Sequence, residues 1–162
     1  MNEQRSISAR TPGHARVAIP PPLVFFAAII IGVILDLLVP VNLLPGAAQL
    51  GVGLPVIGFS VFLSTISFRI FAKNGTTSGH KMKTAVLITD GLFAYTRNPL
   101  YLSVLLLFAG IALLVNEVWM LCLIPVIFVA LDRGAVIHEE EYLERKFGDQ
   151  YLDYKRRVRR WI

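Results

Sequence analysis

Apolar residues dominate four stretches of the chain, at residues 23–39, 50–70, 100–115 and 118–131. Runs of about 20 apolar residues are typical of transmembrane helices. The third and fourth stretches are separated only by Asn116 and Glu117, so they are predicted to form a helical hairpin with two short arms. The pattern predicts an all-α polytopic membrane protein with about four transmembrane helices and a cytoplasmic helical tail.

Positive charges lie on one side of these predicted helices. All 16 Lys and Arg residues precede the first helix, separate the second from the third, or follow the fourth. Because Lys and Arg are enriched in cytoplasmic loops, we expect both termini in the cytoplasm. A cleaved signal peptide with its cleavage site near residues 46–48 is the alternative for the N-terminus. The 22-residue polar lead and the length of the first apolar run argue against it.

This arrangement divides the chain into three regions. Residues 1–22 are predicted to be a cytoplasmic N-terminal arm, and residues 23–72 contain the first two transmembrane helices. Residues 73–162 contain a cytoplasmic loop, the hairpin and the C-terminal helices. The loop between the second and third helices has about thirty residues, and loops of that length in compact proteins are usually functional. The third region is therefore the candidate functional region.

Composition narrows the class of protein. Of the 162 residues, 55% are hydrophobic and 17% charged, and the mean hydropathy is +0.62, which excludes a soluble globule and a disordered tail. The net charge of +5 is better explained by the anionic cytoplasmic leaflet than by a nucleic-acid partner. One cysteine excludes a disulfide framework. The three histidines are far apart in the sequence and do not match the spacing of a zinc site, so no metal is predicted.

The hairpin brings two polar segments together at the cytoplasmic face, because its second helix returns to the side from which the first departs. These segments are residues 91–101 and 132–141. Glu139 and Glu140 follow the last apolar residue of the fourth stretch by about two helical turns. At least one of them is therefore expected to point toward Arg97 and Tyr101, and carboxylates at this depth are functional candidates.

Other polar residues nearby have structural explanations. Asn98 is a reasonable N-cap for the third helix, and Pro99 suits its first turn. Two later carboxylates are expected to form solvated ion pairs with two cations at helical spacing, namely Glu141 and Glu144 with Arg145 and Lys146.

The end of the tail is predicted to be an amphipathic helix capped by Asp149. Its apolar face comprises Tyr151, Tyr154, Val158 and Trp161. Its remaining surface carries Lys155, Arg156, Arg157, Arg159 and Arg160. Such a helix is typical of anchors that bind anionic lipid at the membrane interface, and covering a site beneath it is the other open possibility.

The motif Arg-x-Pro-x-Tyr runs from Arg97 to Tyr101. The hydrophobic hairpin follows, and after it come Glu139, Glu140 and the pattern Phe-Gly-x-x-Tyr-x-x-Tyr from Phe147. In this order, over residues 73–161, these features resemble the isoprenylcysteine carboxyl methyltransferase and phospholipid methyltransferase superfamily. The resemblance implies an integral membrane methyltransferase that uses S-adenosylmethionine.

The resemblance also implies a cofactor site. The backbone of the residues before Phe93 would form one wall of this site, the Phe93 position would face it, and Glu139 would contact the cofactor. The implied cofactor-binding residues are Val86, Leu87, Ile88, Phe93, Asn98, Pro99, Leu100, Tyr101, Glu139 and Glu140. The implied catalytic residues are Arg97, Tyr101 and Glu139.

Three positions depart from the superfamily pattern. Asn98 stands where its carboxyl methyltransferases usually have His, a variant found in bacterial relatives, and Phe93 stands where they have Tyr. Ala135 occupies the position of an Arg implicated in substrate handling in eukaryotic members, and Arg133 is out of register. These departures leave the cofactor site mostly intact but put a prenylcysteine substrate in question.

The chemistry of S-adenosylmethionine suits these residues independently, because its cationic groups are attracted to a carboxylate such as Glu139 and an aromatic face such as Tyr101. The leading hypothesis is a methyltransferase of the bacterial inner membrane. Its acceptor is expected to be a lipophilic or membrane-associated small carboxylate, thiol or amine. An alternative is a non-catalytic membrane protein that binds anionic lipid or a partner through its basic C-terminal helix. A small transporter is disfavoured, because apart from Asp36 the spans lack the charges that a coupled ion pathway needs.

Overall fold

The computed structural model describes residues 20–75 and 86–162. In these ranges the chain is predominantly helical and has no strand, which confirms the all-α prediction. Three segments are long and apolar enough to cross a membrane, and a fourth apolar helix is shorter. Most of the predicted N-terminal arm, residues 1–19, and part of the predicted cytoplasmic loop, residues 76–85, lie outside the described residues.

Helix α1 comprises Pro21–Leu38 and helix α2 comprises Ala48–Lys73. Helix α1 begins at two prolines, which suit a first helical turn because their missing N–H groups have no partner there. Helix α2 has 26 residues and extends past both ends of the predicted span. Since 26 residues at about 1.5 Å each cover about 39 Å, α2 is longer than a hydrocarbon core of about 30 Å. It can therefore reach from the membrane to the site described below.

Helices α3, Pro99–Leu114, and α4, Val118–Leu131, form the predicted hairpin. Helix α3 ends in a Schellman motif, with Asn116 in the left-handed conformation at φ 59°. The N–H of Glu117 donates to the carbonyl of Ala112 at 2.9 Å, as this motif requires.

The side chain of Asn116 ties the hairpin to the connection between α1 and α2. Its Oδ1 accepts hydrogen bonds from the backbone N–H groups of Leu43 and Leu44 at 3.1 and 2.8 Å. Its Nδ2 donates to the carbonyl of Leu44 at 2.9 Å and to Asn42 Oδ1 at 3.2 Å. One residue thus fixes both loops at the end of the bundle opposite the site.

The second arm of the hairpin is longer than predicted. Helix α4 continues through a π-helical segment, Asp132–Val136, into helix α5, Ile137–Phe147. The three parts form one run of 30 residues, Val118–Phe147. The prediction of two short arms is therefore right for α3, which has 16 residues, and wrong for the second arm. Single π-helical turns occur frequently at functional sites.

Gly148 separates α5 from the last helix, α6, which comprises Asp149–Arg157. Its φ of 54° with ψ of −128° is a conformation that glycine adopts readily because it has no Cβ. Asp149 is the first residue of α6 and Gly148 occupies the N-cap position, so the predicted cap is wrong by one residue. The helix stops at Arg157, and residues 158–162, termed the C-terminal strap, are not helical.

Helix α2 packs mainly against α3, and α1 packs mainly against α4. Glycine permits the close approach of α2 and α3, since a Cβ on Gly53 would lie 2.8 Å from the backbone N of Leu114. Most large side chains of α1 are exposed and apolar, as lipid contact requires.

A separate buried cluster lies outside the helical core and surrounds the site: Ile88, Phe93, Tyr151, Tyr154 and Val158.

Candidate active site

The two segments that were predicted to meet at the end of the hairpin are in contact. The hydroxyl of Tyr101 donates to Glu139 Oε2 at 3.2 Å. Arg97 Nη1 lies 3.0 Å from Glu140 Oε1. The prediction that at least one of these carboxylates points toward Arg97 and Tyr101 is confirmed, and each carboxylate contacts one of them.

A 3-10 turn, Gly91–Ala94, shapes the segment before α3. Gly91 has φ 61°, which favours glycine and agrees with the turn that the sequence indicates at this position. The turn buries Phe93, whose ring centroid lies 5.4 Å from that of Phe71 in α2. The hydroxyl of Tyr154 in α6 donates to the carbonyl of Phe93 at 2.7 Å. The turn therefore joins α2 and α6 along one wall of the site.

Glu140 is the centre of an ion-pair network. Its side chain is 6% exposed, and that of Arg97 is 9% exposed. Arg160 of the C-terminal strap binds both oxygens of Glu140, with Nε 3.0 Å from Oε1 and Nη2 2.8 Å from Oε2. The same guanidinium reaches Asp132 in the π-helical segment at 3.2 Å. Two cations thus share one buried carboxylate, and Arg160 holds it in the bidentate geometry that gives strong pairs.

The side chain of Asn98 binds the C-terminal strap. It occupies the N-cap position of α3, but its side chain makes no capping hydrogen bond, so the predicted capping function is wrong. Its Nδ2 donates instead to the carbonyl of Arg160 at 2.9 Å. The backbone N–H of Arg97 donates to the carbonyl of Arg159 at 3.1 Å. The start of α3 therefore holds the strap through backbone carbonyls.

Trp161 fixes the end of the strap. Its Nε1 donates to Asp132 Oδ1 at 2.9 Å, and its ring centroid lies 4.6 Å from that of Phe128 in α4. Trp161 was predicted on the apolar face of an interfacial helix, whereas it lies beyond the helix and packs on the protein.

A cavity of about 60 Å³ lies between these elements. Six of the predicted cofactor-binding residues line it, together with Arg97: Leu87, Ile88, Phe93, Asn98, Glu139 and Glu140. The other four do not line it. Val86 is exposed, Pro99 is buried, Leu100 is half-buried, and Tyr101 is joined to the lining through Glu139. The cofactor-binding and catalytic functions of all these residues remain predictions.

Four lining residues were not assigned to the site from the sequence: Phe71, Leu143, Tyr151 and Tyr154. The spacing of Tyr151 and Tyr154 did identify the apolar face of an amphipathic helix. That face was assigned first to the lipid interface, but the two tyrosines are 1% and 3% exposed and lie against the site. The other possibility, that the helix covers a site, agrees with the structure. Nothing in the apolar run of α2 distinguishes Phe71 from its neighbours.

The charges of the tail are partly rearranged relative to the prediction. Arg160 was assigned to the lipid-facing surface, but it pairs with Glu140 and Asp132. Glu141 lies 3.9 Å from Arg145, which confirms that pair. Glu144 lies 3.3 Å from Lys155 in the next helix, so its predicted partners on α5 are wrong. Spacing along one helix could not reveal a partner across the Gly148 turn.

Burial controls the protonation of the two tyrosines of α6. It raises the pKa of Tyr151 to about 12, and the charge of Glu140 adds to this effect while Arg97 opposes it. Burial also raises the pKa of Tyr154 above its usual range. Hydrogen bonds to Glu140 raise the pKa of Arg160. Both phenols are therefore neutral hydrogen-bond donors near neutral pH, and Arg160 is a permanent cation.

In the part of the chain that the structure describes, the cavity lining combines two carboxylates, one guanidinium and four aromatic rings, and it contains no Ser, Cys or His. Among residues 20–75 and 86–162, no group of His, Cys, Asp or Glu side chains is placed to hold a metal ion. These described residues can therefore bind a small molecule that carries both charges and an apolar body, and none of them is a Ser or Cys nucleophile.

Comparisons with known proteins agree with this arrangement. The family described as phospholipid methyltransferase matches residues 48–150. A Haemophilus influenzae protein, itself uncharacterized, is 35% identical over 63 residues, which are 39% of this chain and all of that protein. The protein-S-isoprenylcysteine O-methyltransferase of Schizosaccharomyces pombe is 30% identical over 76 residues, which are 47% of this chain and 32% of that enzyme. No solved structure gives a significant match.

These matches confirm the superfamily that residues 73–161 resemble. The helices confirm that the chain is an integral membrane protein. The protein belongs to the phospholipid methyltransferase family and is a membrane methyltransferase.

Proposed function

We propose that this protein transfers the methyl group of S-adenosylmethionine to a lipophilic or membrane-associated small acceptor that presents a carboxylate, thiol or amine. The proposal rests on one observation: Arg97, Glu139 and Glu140 line the same cavity as several aromatic rings. Membership of a methyltransferase family supplies the reaction class.

The charged and aromatic side chains of the site suit the functional groups of S-adenosylmethionine. The amino group of the cofactor is a natural partner for the Glu139 carboxylate. The aromatic rings of Phe93 and Tyr151, which line the cavity, suit its sulfonium and adenine groups. Arg97 Nε is buried and has no hydrogen-bond partner among residues 20–75 and 86–162. A buried donor without a partner is costly, and the α-carboxylate of the cofactor would satisfy it.

The cavity is smaller than the proposed ligand requires. Its volume is about 60 Å³. Pockets that hold ligands of this size usually measure about 300–1,000 Å³. We therefore expect the cavity to widen when the cofactor binds.

When bound, the cofactor supplies an electrophilic methyl group that a nucleophile displaces directly. Glu139, held by the Tyr101 hydroxyl at 3.2 Å, orients the cofactor. Phe93, Tyr151 and Tyr154, all buried, exclude water from the reacting atoms. Positioning of this kind can supply much of the rate. A carboxylate or thiolate acceptor needs no general base.

The distribution of Lys and Arg supports a cytoplasmic site with both termini on that side of a bacterial inner membrane. The cofactor then arrives from the cytoplasm, and the acceptor arrives laterally from the bilayer. Ala135 is fully buried and Arg133 is exposed, so no Arg occupies the position used for substrate handling in eukaryotic members that the sequence resembles. We therefore expect the acceptor to differ from a prenylcysteine.

Calorimetric titration of the detergent-purified protein with S-adenosylmethionine tests the proposal. We expect saturable binding by the wild type, weakened about tenfold or more in Glu139→Gln, which removes the carboxylate proposed to bind the cofactor, and in Tyr101→Phe, which removes the hydrogen bond that holds this carboxylate. Glu141→Gln is the matched control, because it removes a carboxylate from the same helix at a position 55% exposed, and its binding should equal that of the wild type.

Transfer of a labelled methyl group to a membrane lipid extract then identifies the acceptor class. If the folded wild type does not bind S-adenosylmethionine, the proposal is wrong. Binding to anionic lipid vesicles without methyl transfer would instead favour a non-catalytic lipid-binding protein.

A further inference from the structure

Arg97 makes fewer hydrogen bonds than its burial demands. Its Nη1 lies 3.0 Å from Glu140 Oε1 and donates a hydrogen bond to the Tyr151 hydroxyl at 3.5 Å. Its Nε is buried and unpaired among the described residues. Arginine normally pairs with a carboxylate through two parallel hydrogen bonds. Arg97 therefore has a carboxylate beside it but uses only one oxygen of that carboxylate.

Arg160 explains this incomplete pairing. Its Nε and Nη2 occupy Oε1 and Oε2 of Glu140 at 3.0 and 2.8 Å, so the carboxylate is already held by a bidentate fork. Rotation of Glu140 toward Arg97 would break the fork. Arg160 itself is fixed, because its carbonyl accepts from Asn98 at 2.9 Å and its guanidinium also binds Asp132 at 3.2 Å.

We propose that Arg160 is a positioning residue that keeps Arg97 Nε free for the α-carboxylate of the methyl donor. It does so by holding Glu140 in a bidentate pair that Arg97 would otherwise form. The inference rests on the proposed function, and it adds to the site a residue from the C-terminal strap, which does not line the cavity.

Charge balance supports the same conclusion. Arg97 and Arg160 together balance the charges of Glu140 and Asp132. Loss of Arg160 would leave this group with one net negative charge beside the position where an anionic carboxylate must bind. Repulsion at this depth is weakly screened, because the side chains of Glu140 and Arg97 are 6% and 9% exposed.

The test uses two probes that differ only in the carboxylate, namely S-adenosylmethionine and its decarboxylated analogue, each titrated calorimetrically into the detergent-purified full chain. In Arg160→Gln we expect the affinity for S-adenosylmethionine to fall about tenfold, within the range of coupling between groups in direct contact. The affinity for the decarboxylated analogue should change less than about twofold, because it lacks the group that Arg97 binds. A merely structural function of Arg160 would weaken both ligands alike.

Arg159→Gln is the matched control, since it removes the same charge from an exposed neighbouring side chain and leaves the backbone carbonyl that Arg97 binds. It should bind both probes as the wild type does. If Arg160→Gln does not give a folded protein, Arg160→Lys carries the test, because it keeps the charge and loses the fork. We expect it to weaken only S-adenosylmethionine, by about threefold.

Equal weakening of both probes, or of neither, in these Arg160 variants would overturn the inference while the proposed function stands. A folded wild type that binds neither probe would overturn the proposed function itself, and with it this inference.

Discussion

The two ends of the helical bundle both carry polar clusters, but the clusters differ in kind. At the hairpin end, the neutral side chain of Asn116 makes its hydrogen bonds mostly with backbone groups of one connecting loop. At the site end, the charged side chains of Arg97, Glu140 and Arg160 bond mainly to one another. The first cluster fixes two loops in place, and the second surrounds a cavity.

Each end also contains a buried side-chain atom without a partner among the described residues. At the hairpin end this atom is Glu117 Oε1, and a Cβ on Gly32 would lie 2.9 Å from it, so helix α1 already fills the space. At the site end it is the Nε of Arg97, a residue that lines the cavity. An unpaired buried atom therefore indicates a ligand site only where there is also space for a ligand.

The largest effect should come from breaking the charged cluster. Glu140→Gln leaves Arg97 buried without its carboxylate, and removal of one partner of a buried ion pair costs about 3–5 kcal/mol. We expect a fall of this size in the free energy of unfolding, measured by titration with sodium dodecyl sulfate. Glu141→Gln, which changes an exposed residue of the same helix, should have little effect. An unchanged unfolding curve for Glu140→Gln would mean that the charged cluster does not stabilise the fold.

An intermediate effect is expected at the hairpin end. Asn116→Ala places alanine, which rarely adopts the left-handed conformation, at φ 59°. It also removes the hydrogen bonds to the loop. We expect the free energy of unfolding to fall by about 2–3 kcal/mol in total. Asn116→Gly keeps the conformation and should lose about 1 kcal/mol less. Both variants should keep wild-type affinity for S-adenosylmethionine, because the change lies at the opposite end of the bundle. Loss of cofactor affinity in these variants would remove the distinction between the two ends.

The smallest effect should come from Tyr154→Phe, which deletes the hydrogen bond of 2.7 Å to the Phe93 carbonyl and keeps the ring. The carbonyl loses its partner at a cost of about 1–2 kcal/mol. Because Tyr154 lines the cavity, cofactor affinity should fall along with stability. A stability loss without a change in affinity would assign Tyr154 to the support of the 3-10 turn alone.

Much of the fold follows from the sequence, because apolar runs, prolines and glycines act locally. The hairpin required only two apolar runs and a two-residue break, and its return path placed Glu139 and Glu140 beside Tyr101 and Arg97. The function of Arg160 could not be found in this way. Its partners are 20 and 28 residues away along the chain, and four of the five residues before it are cations, so composition indicated a lipid-binding surface.

The π-helical segment Asp132–Val136 sets the helical phase of everything that follows it. A π turn contains one residue more than the α turn it replaces, and one residue corresponds to a rotation of about 100° around the helix axis. Helix α4 can therefore present one face to α1 while α5 presents a different face to the start of α3. Without the additional residue, Glu139 and Glu140 would be rotated by about 100° away from Tyr101 and Arg97. The alignment of the site thus depends on an irregularity of a single residue in the helix backbone.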